Sequence, residues 1–162
     1  KLCIMNTYLI VKWLHILSSV LMVGTGFGSA FYMFFANRSG SVAAQAVVSR
    51  LVVRADWWFT TPAVIFQPLS GLWLVQQAGW SWSSPWLMLT LGLYALAGIC
   101  WVPVVLLQVD MAKMAQAAAA QQSALPAAYW QKAAMWERLG YPAFLAMLGV
   151  YFLMVYKPTL WT

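Results

Sequence analysis

Residues 57–109 read WWFTTPAVIFQPLSGLWLVQQAGWSWSSPWLMLTLGLYALAGICWVPVVLLQV, with no charged side chain between Asp56 and Asp110. A membrane-spanning helix needs about 20 mostly apolar residues, so this stretch holds two. Gly79-Trp80-Ser81-Trp82-Ser83-Ser84-Pro85 divides it, since glycine, serine and proline favour a turn. The two spans are approximately 57–78 and 86–108. Toward the N-terminus a further apolar run covers approximately 8–36, with Lys12 and His15 near its start. Toward the C-terminus another covers approximately 139–156. The pattern predicts an all-α integral membrane four-helix bundle, a single transmembrane domain over residues 1–162.

Composition agrees. Of 162 residues, 64% are hydrophobic and 7% charged, against roughly 25% charged in a soluble domain. So few charges cannot cover a globular surface in water. The net charge of +6 lies mostly in the connections, which fits membrane topology better than nucleic-acid binding. Cys3 and Cys100 form neither a disulfide framework nor a zinc motif. Lys1-Leu2-Cys3-Ile4 precede Met5, and are expected to be an expression remnant or upstream translation. The first apolar run is too long for a signal peptide and is expected to stay as a span.

The connections set an orientation. Loop one carries Arg38, Arg50 and Arg54; loop three carries Lys113, Lys132 and Arg138; loop two is uncharged. Basic loops stay cytoplasmic, which puts both termini and loop two in the periplasm of a bacterial inner membrane. Trp80, Trp82 and Trp86 are expected at the outer interface, and Trp57, Trp58, Trp130 and Trp136 at the inner one. Lys12 and Lys157 oppose this orientation mildly and are expected to snorkel outward. Ser41 to Arg54 predicts a short amphipathic helix in the first cytoplasmic loop, with Val47, Val48, Leu51 and Val52 on one side and Ser39 or Ser41 as cap. Asp110 to Gln122 is rich in good helix formers, so the third helix projects beyond the membrane, and Pro126 starts the next.

Within the spans, Gly24 and Gly28 share a face and are expected to admit a close helix approach. Pro62, Pro68, Pro103 and Pro142 each remove a backbone hydrogen bond, for which Thr60, Thr61, Gln67 and Ser70 are the nearby compensating groups.

Candidate chemistry is sparse. His15, the only histidine, lies about two turns inside the first helix, with Lys12, Ser18, Ser19 and Met22 on its side. An ionisable group in a membrane usually faces the bundle interior and often marks function. Three readings stand: a neutral histidine bonded between helices, a haem ligand, or a station for protons or quinones. A haem needs an axial ligand and an apolar slot. His15 is the expected iron ligand, and Met22, Met147 or Met154 are candidates for a second. Gln67 near mid-membrane and Gln108 near the cytoplasmic end either bind substrate or tie helices together, with Trp101 and Pro103 placed for an inner pocket beside Gln108. Arg54, Asp56 and Arg138 read as a solvated charge cluster at the inner edge, with an anionic ligand as the alternative. There is no Ser-His-Asp set, carboxylate dyad or metal-ligand cluster in the sequence, and no row of acids for a proton relay.

Tyr8 to Leu17, the glycines that follow, Asp56 to Pro62, Gln67-Pro68-Leu69-Ser70-Gly71, and Trp101-Val102-Pro103 leading to Gln108 resemble predicted bacterial membrane proteins grouped as domain of unknown function 2269. The resemblance covers nearly the whole chain from Met5. More remotely, Lys12-Trp13-Leu14-His15-Ile16 resembles the first helix of HemJ-type protoporphyrinogen oxidases and CopD-like copper-resistance proteins. The HemJ likeness implies haem b, with His15 matching the first-helix histidine. The chain departs from HemJ in lacking a second histidine and an intramembrane lysine in the third helix. The functional expectation is a haem- or porphyrin-binding redox protein with His15, Met22 and Gln67 as cofactor-binding residues. The alternative is a non-catalytic membrane subunit or a lipid- or quinone-binding protein; transport is the third reading. Membrane lipids, a second copy of the chain or a membrane protein are the expected partners, and nucleic acid is not.

Overall fold

The computed structural model describes residues 2–158, with side chains from Asn6 onward. Lys1 lies outside the described residues, and the Cys3 thiol outside the described side chains, so the expected remnant at residues 1–4 falls largely beyond what is described. The elements are α1 (Leu2–Arg38), α2 (Val42–Ala55), a π-helical turn (Asp56–Thr60), α3 (Thr61–Gln77), α4 (Pro85–Ala120) and α5 (Ala127–Tyr156). No strand occurs among the described residues.

Among the described residues, three segments are long and apolar enough to cross a membrane: Asn6–Arg38, Pro85–Ala120 and Ala127–Tyr156. Only 6%, 22% and 17% of their most apolar stretches is buried inside the protein, so these faces are built for lipid. Ile10, Trp13, Val20, Ile99, Leu106, Leu145 and Val155 all point outward. At 1.5 Å per residue, α4 with its 36 residues is about 54 Å long, well beyond the ~30 Å hydrocarbon core. One crossing therefore uses only part of its length.

The first connection differs from expectation. The expected short helix forms, as α2, but no loop separates it from α3. Ser39 to Ser41 make the whole turn, with Gly40 at φ +70°, a conformation that favours glycine. The Ser41 hydroxyl then caps α2 by accepting from the Ala44 N–H at 3.3 Å. The chain keeps helical dihedrals at Asp56, Thr60 and Thr61, so α2, the π turn and α3 are one continuous helical run. Its buried face also differs from expectation. Gln45, Ala46, Ser49 and Val52 turn inward, while Val47 and Leu51 are exposed. The reason is the neighbour. α2 packs on α4, whose Met111, Ala112, Ala115 and Ala118 form a shallow buried strip that small side chains fit more closely.

Pro62 and Pro68 are accommodated in different ways. Pro62 has no N–H for the Trp58 carbonyl, and the ladder there widens: Thr61 bonds five residues back to Asp56. Pro68 deprives the Val64 carbonyl of its donor. The Tyr94 hydroxyl on α4 supplies one at 2.7 Å, rather than the nearby hydroxyls and amides expected from the sequence. Tyr94→Phe therefore leaves a carbonyl unpaired and is expected to cost about 1–3 kcal/mol. In a Pro68→Ala background the restored N–H serves Val64 itself, and the same substitution should then cost less than half as much. Equal costs in reversible unfolding of the two backgrounds would refute this pairing.

The glycine expectation is corrected as well. A Cβ at Gly24 or Gly28 would meet nothing within 4 Å, so neither admits a helix. Close approach occurs at Gly71, where a Cβ would stand 3.1 Å from the His15 ring, and at Gly149, where it would stand 2.9 Å from Leu93. Two of the expected interface tryptophans are core residues: Trp86 and Trp136 are both 6% exposed. Trp57, Trp58, Trp80, Trp82 and Trp130 are exposed as anchors should be. Lys157 lies over the Trp80 ring, 5.0 Å from its centre, which places the end of α5 beside the turn before α4.

Packing is concentrated at the two ends of the molecule. At the charged end Met33, Ala46, Val52, Met111, Ala115, Tyr129, Ala133 and Trp136 form the main core. Tyr129 donates to Asn37 Oδ1 at 2.6 Å, and Gln45 donates to the Asn37 carbonyl at 3.3 Å, tying α1 to α5 and α2. At the other end Val75, Trp86, Leu87 and Leu153 form a smaller cluster.

Candidate functional site

Between these packed ends lies a cavity of about 410 Å³, inside the 300–1,000 Å³ range of small-molecule sites. The closest helix pairings are α4 with α5, α2 with α4 and α1 with α3; α1 is not a close neighbour of α5, and the hollow fills that gap. It runs from Met22 to Phe35 along α1, about 20 Å at helical rise. Small residues keep it empty: Gly26, Ala30, Ala97, Gly98, Gly140 and Ala143 all line it. Phe27, Phe31 and Phe35 on α1 and Tyr141 on α5 line it too, yet are exposed. The cavity is therefore open on that side, where lipid would lie. Phe27 stacks on Phe144 across the gap with ring centres 5.2 Å apart.

One end is polar, formed by Asp56, Thr60, Gln108, Trp136 and Glu137. Asp56 is 3% exposed and lies on the π turn, which rotates it inward from the end of α2. The Gln108 amide has its orientation dictated by Trp136, because an indole N–H only donates. Its oxygen accepts from Trp136 Nε1 at 3.2 Å, and its nitrogen donates to Asp56 Oδ2 at 2.6 Å. Thr60 faces the same carboxyl, yet its buried hydroxyl has no partner in hydrogen-bond geometry. Glu137 is bridged by Arg38 at 3.1 Å, and the Arg38 guanidinium lies 3.3 Å over the Phe34 ring.

The sequence-predicted residues are divided between two places. Met22 is on the cavity wall with Met147. His15 and Gln67 are together in the α1–α3 seam, away from it. Ser70 donates to the Phe66 carbonyl at 2.7 Å and so accepts from His15 Nδ1 at 2.8 Å, which fixes the proton on Nδ1. Gln67 donates to the His15 carbonyl at 2.7 Å and to the Ser18 hydroxyl. His15 Nε2 keeps a lone pair, but Gly71 backs the ring and the cavity lining does not include it. A ligand in one place and a slot in another do not fit a haem. Among the described residues no group of three or more His, Cys, Asp or Glu is placed to hold a metal ion. The seam makes its own prediction. Gly71→Val is expected to cost about 1–3 kcal/mol by overpacking the ring. Adding His15→Ala should recover part of that loss, and a double variant no better than the single would refute the contact.

Trp101 and Gln108 reach the same pocket, as the sequence predicts, but Pro103 does not. Asp56 is not part of a solvated cluster. It turns in toward Gln108, while Arg54 and Arg138 stay exposed. Thr60, Tyr94 and Trp136 carried no sequence signal as pocket residues, because nothing in helical spacing shows which helix each will face.

A family model described as "Predicted integral membrane protein (DUF2269)" matches residues 9–158. The chain belongs to that family. No curated protein and no solved structure matches it. The DUF2269 match runs from residue 9, within α1, past the end of α5, and so takes in every wall of the cavity.

Proposed function

We propose that this protein binds a lipid-like amphipathic molecule, of the lipid or quinone class, in the cavity between its helices. The observation that carries this reading is the shape and chemistry of the hollow: a long apolar slot, open between α1 and α5, with its acid and amide side chains gathered at one end, while the Ser29 and Tyr94 hydroxyls elsewhere on the lining are taken up by backbone carbonyls. That is the layout of a molecule with an apolar chain and a polar head. Sites of this kind are mostly apolar with a few convergent polar groups.

In this reading the chain crosses a bacterial inner membrane four times. The fourth crossing is the helical run through the π turn and α3, for which α3 supplies 17 residues and the π turn the remainder. All three acids and six of the nine basic residues gather at the end formed by the Ser39–Ser41 turn and the α4–α5 connection. This supports a cytoplasmic position for that end. The polar end of the cavity then lies near the inner leaflet. Protein purified in mild detergent should carry close to one equivalent of an amphiphile, found by extraction and mass spectrometry. A stripped protein should take up one equivalent of an oleoyl-chain probe in a saturable way. Uptake that rises without saturation would mean simple partitioning and would end the proposal.

A further inference from the structure

We infer that the polar end of this cavity receives an uncharged head group carrying an O–H donor, on a single long apolar chain, and rejects a phosphate head. This rests on the cavity-binding reading above and names the class of its ligand.

Charge is the first observation. The lining holds two acids, Asp56 and Glu137, and no lysine, arginine or histidine among the described residues. Arg38 is not among the lining residues, and its two terminal guanidinium nitrogens face Glu137, at 3.1 and 3.4 Å, with one also donating to the Phe34 carbonyl. Asp56 has no ion pair among the described residues. A phosphate there would meet an uncompensated carboxyl where little water screens it, and like charges repel strongly in such a place. Phosphate sites instead present Arg, Lys or a row of backbone N–H groups.

Thr60 is the second observation, and it is independent of charge. It is 3% exposed, lines the cavity, and its hydroxyl is unpartnered. Buried polar groups nearly always have a partner, and a hydroxyl both donates and accepts. A head-group alcohol between Thr60 and Asp56 would accept from the first and donate to the second. Size is the third. About 410 Å³ takes a head and the upper part of one chain, with the rest leaving past Phe27 and Phe31 into lipid.

The experiment compares matched probes on the full chain in detergent, with bound probe counted by native mass spectrometry. Monooleoylglycerol and its phosphate ester, lysophosphatidate, share one chain and differ in the phosphate. Geranylgeraniol separates an isoprenoid source of the alcohol from a glyceride one, and oleylamine supplies a cationic head. Both alcohols are expected to bind, whichever is tighter naming the source, with lysophosphatidate at least tenfold weaker. Thr60→Val should weaken the alcohols about fivefold, with the melting temperature of the unliganded variant measured alongside to separate lost binding from lost stability. Asp56→Asn should narrow the gap between the ester and its alcohol. Lysophosphatidate or oleylamine binding as tightly as the alcohols would overturn the head-group inference and leave the cavity reading standing. If no probe binds, or if Gly98→Leu leaves binding unchanged, both fall together.

Discussion

Trp136→Ala is expected to lower the stability of the protein by about 3–5 kcal/mol, the usual cost of truncating a buried tryptophan. The indole is 6% exposed and belongs to the main packed cluster at the charged end. Its loss opens a void there and frees the Gln108 oxygen that it caps at 3.2 Å. Without that donor the Gln108 amide loses the contact that orients it, and the bond to Asp56 weakens with it. Trp136→Phe keeps most of the volume and loses only the donor, so it should cost far less, about 1–3 kcal/mol. Unfolding titrations in mixed micelles measure both. A cost below 1 kcal/mol for the alanine variant would mean the tryptophan is an interface anchor after all, and the described packing would be wrong.

Gly98→Leu carries the largest expected effect on binding. A Cβ at Gly98 meets nothing within 4 Å, and the residue lines the cavity opposite α1. A leucine there would occupy the slot instead of straining a neighbour. Retained amphiphile is expected to fall at least tenfold. Stability without ligand should hold or rise by up to about 1 kcal/mol, because glycine is a poor residue for a helix interior. Gly24→Leu, on the same footing but away from the cavity lining, should leave binding intact. If both variants retain amphiphile equally, the cavity is not where it binds.

Much of the architecture was legible from individual residues. The charge-free stretch, its Gly79–Pro85 divider and the caps at Ser41 and Pro126 are local signals, and local hydrogen bonding obeys them. The site was legible only in part. Gln108 and Trp101 could be placed in an inner pocket because they share a helix end. Asp56 could not be turned inward from the sequence, since that orientation depends on a π turn set by Pro62. His15 drew attention as the lone imidazole, yet its partners on α3 use it to join two helices.

Sequence alone determined that the chain is an apolar, all-helical membrane protein and where its main turns fall, because hydropathy and turn chemistry act over one helix at a time. Only the tertiary structure decided which faces meet: that Tyr94 serves Val64, that Gly71 rather than Gly24 admits a neighbour, and that a space remains between α1 and α5. Such a space belongs to no single residue. It forms where small side chains from three helices face one another, and their spacing along the chain does not record that meeting.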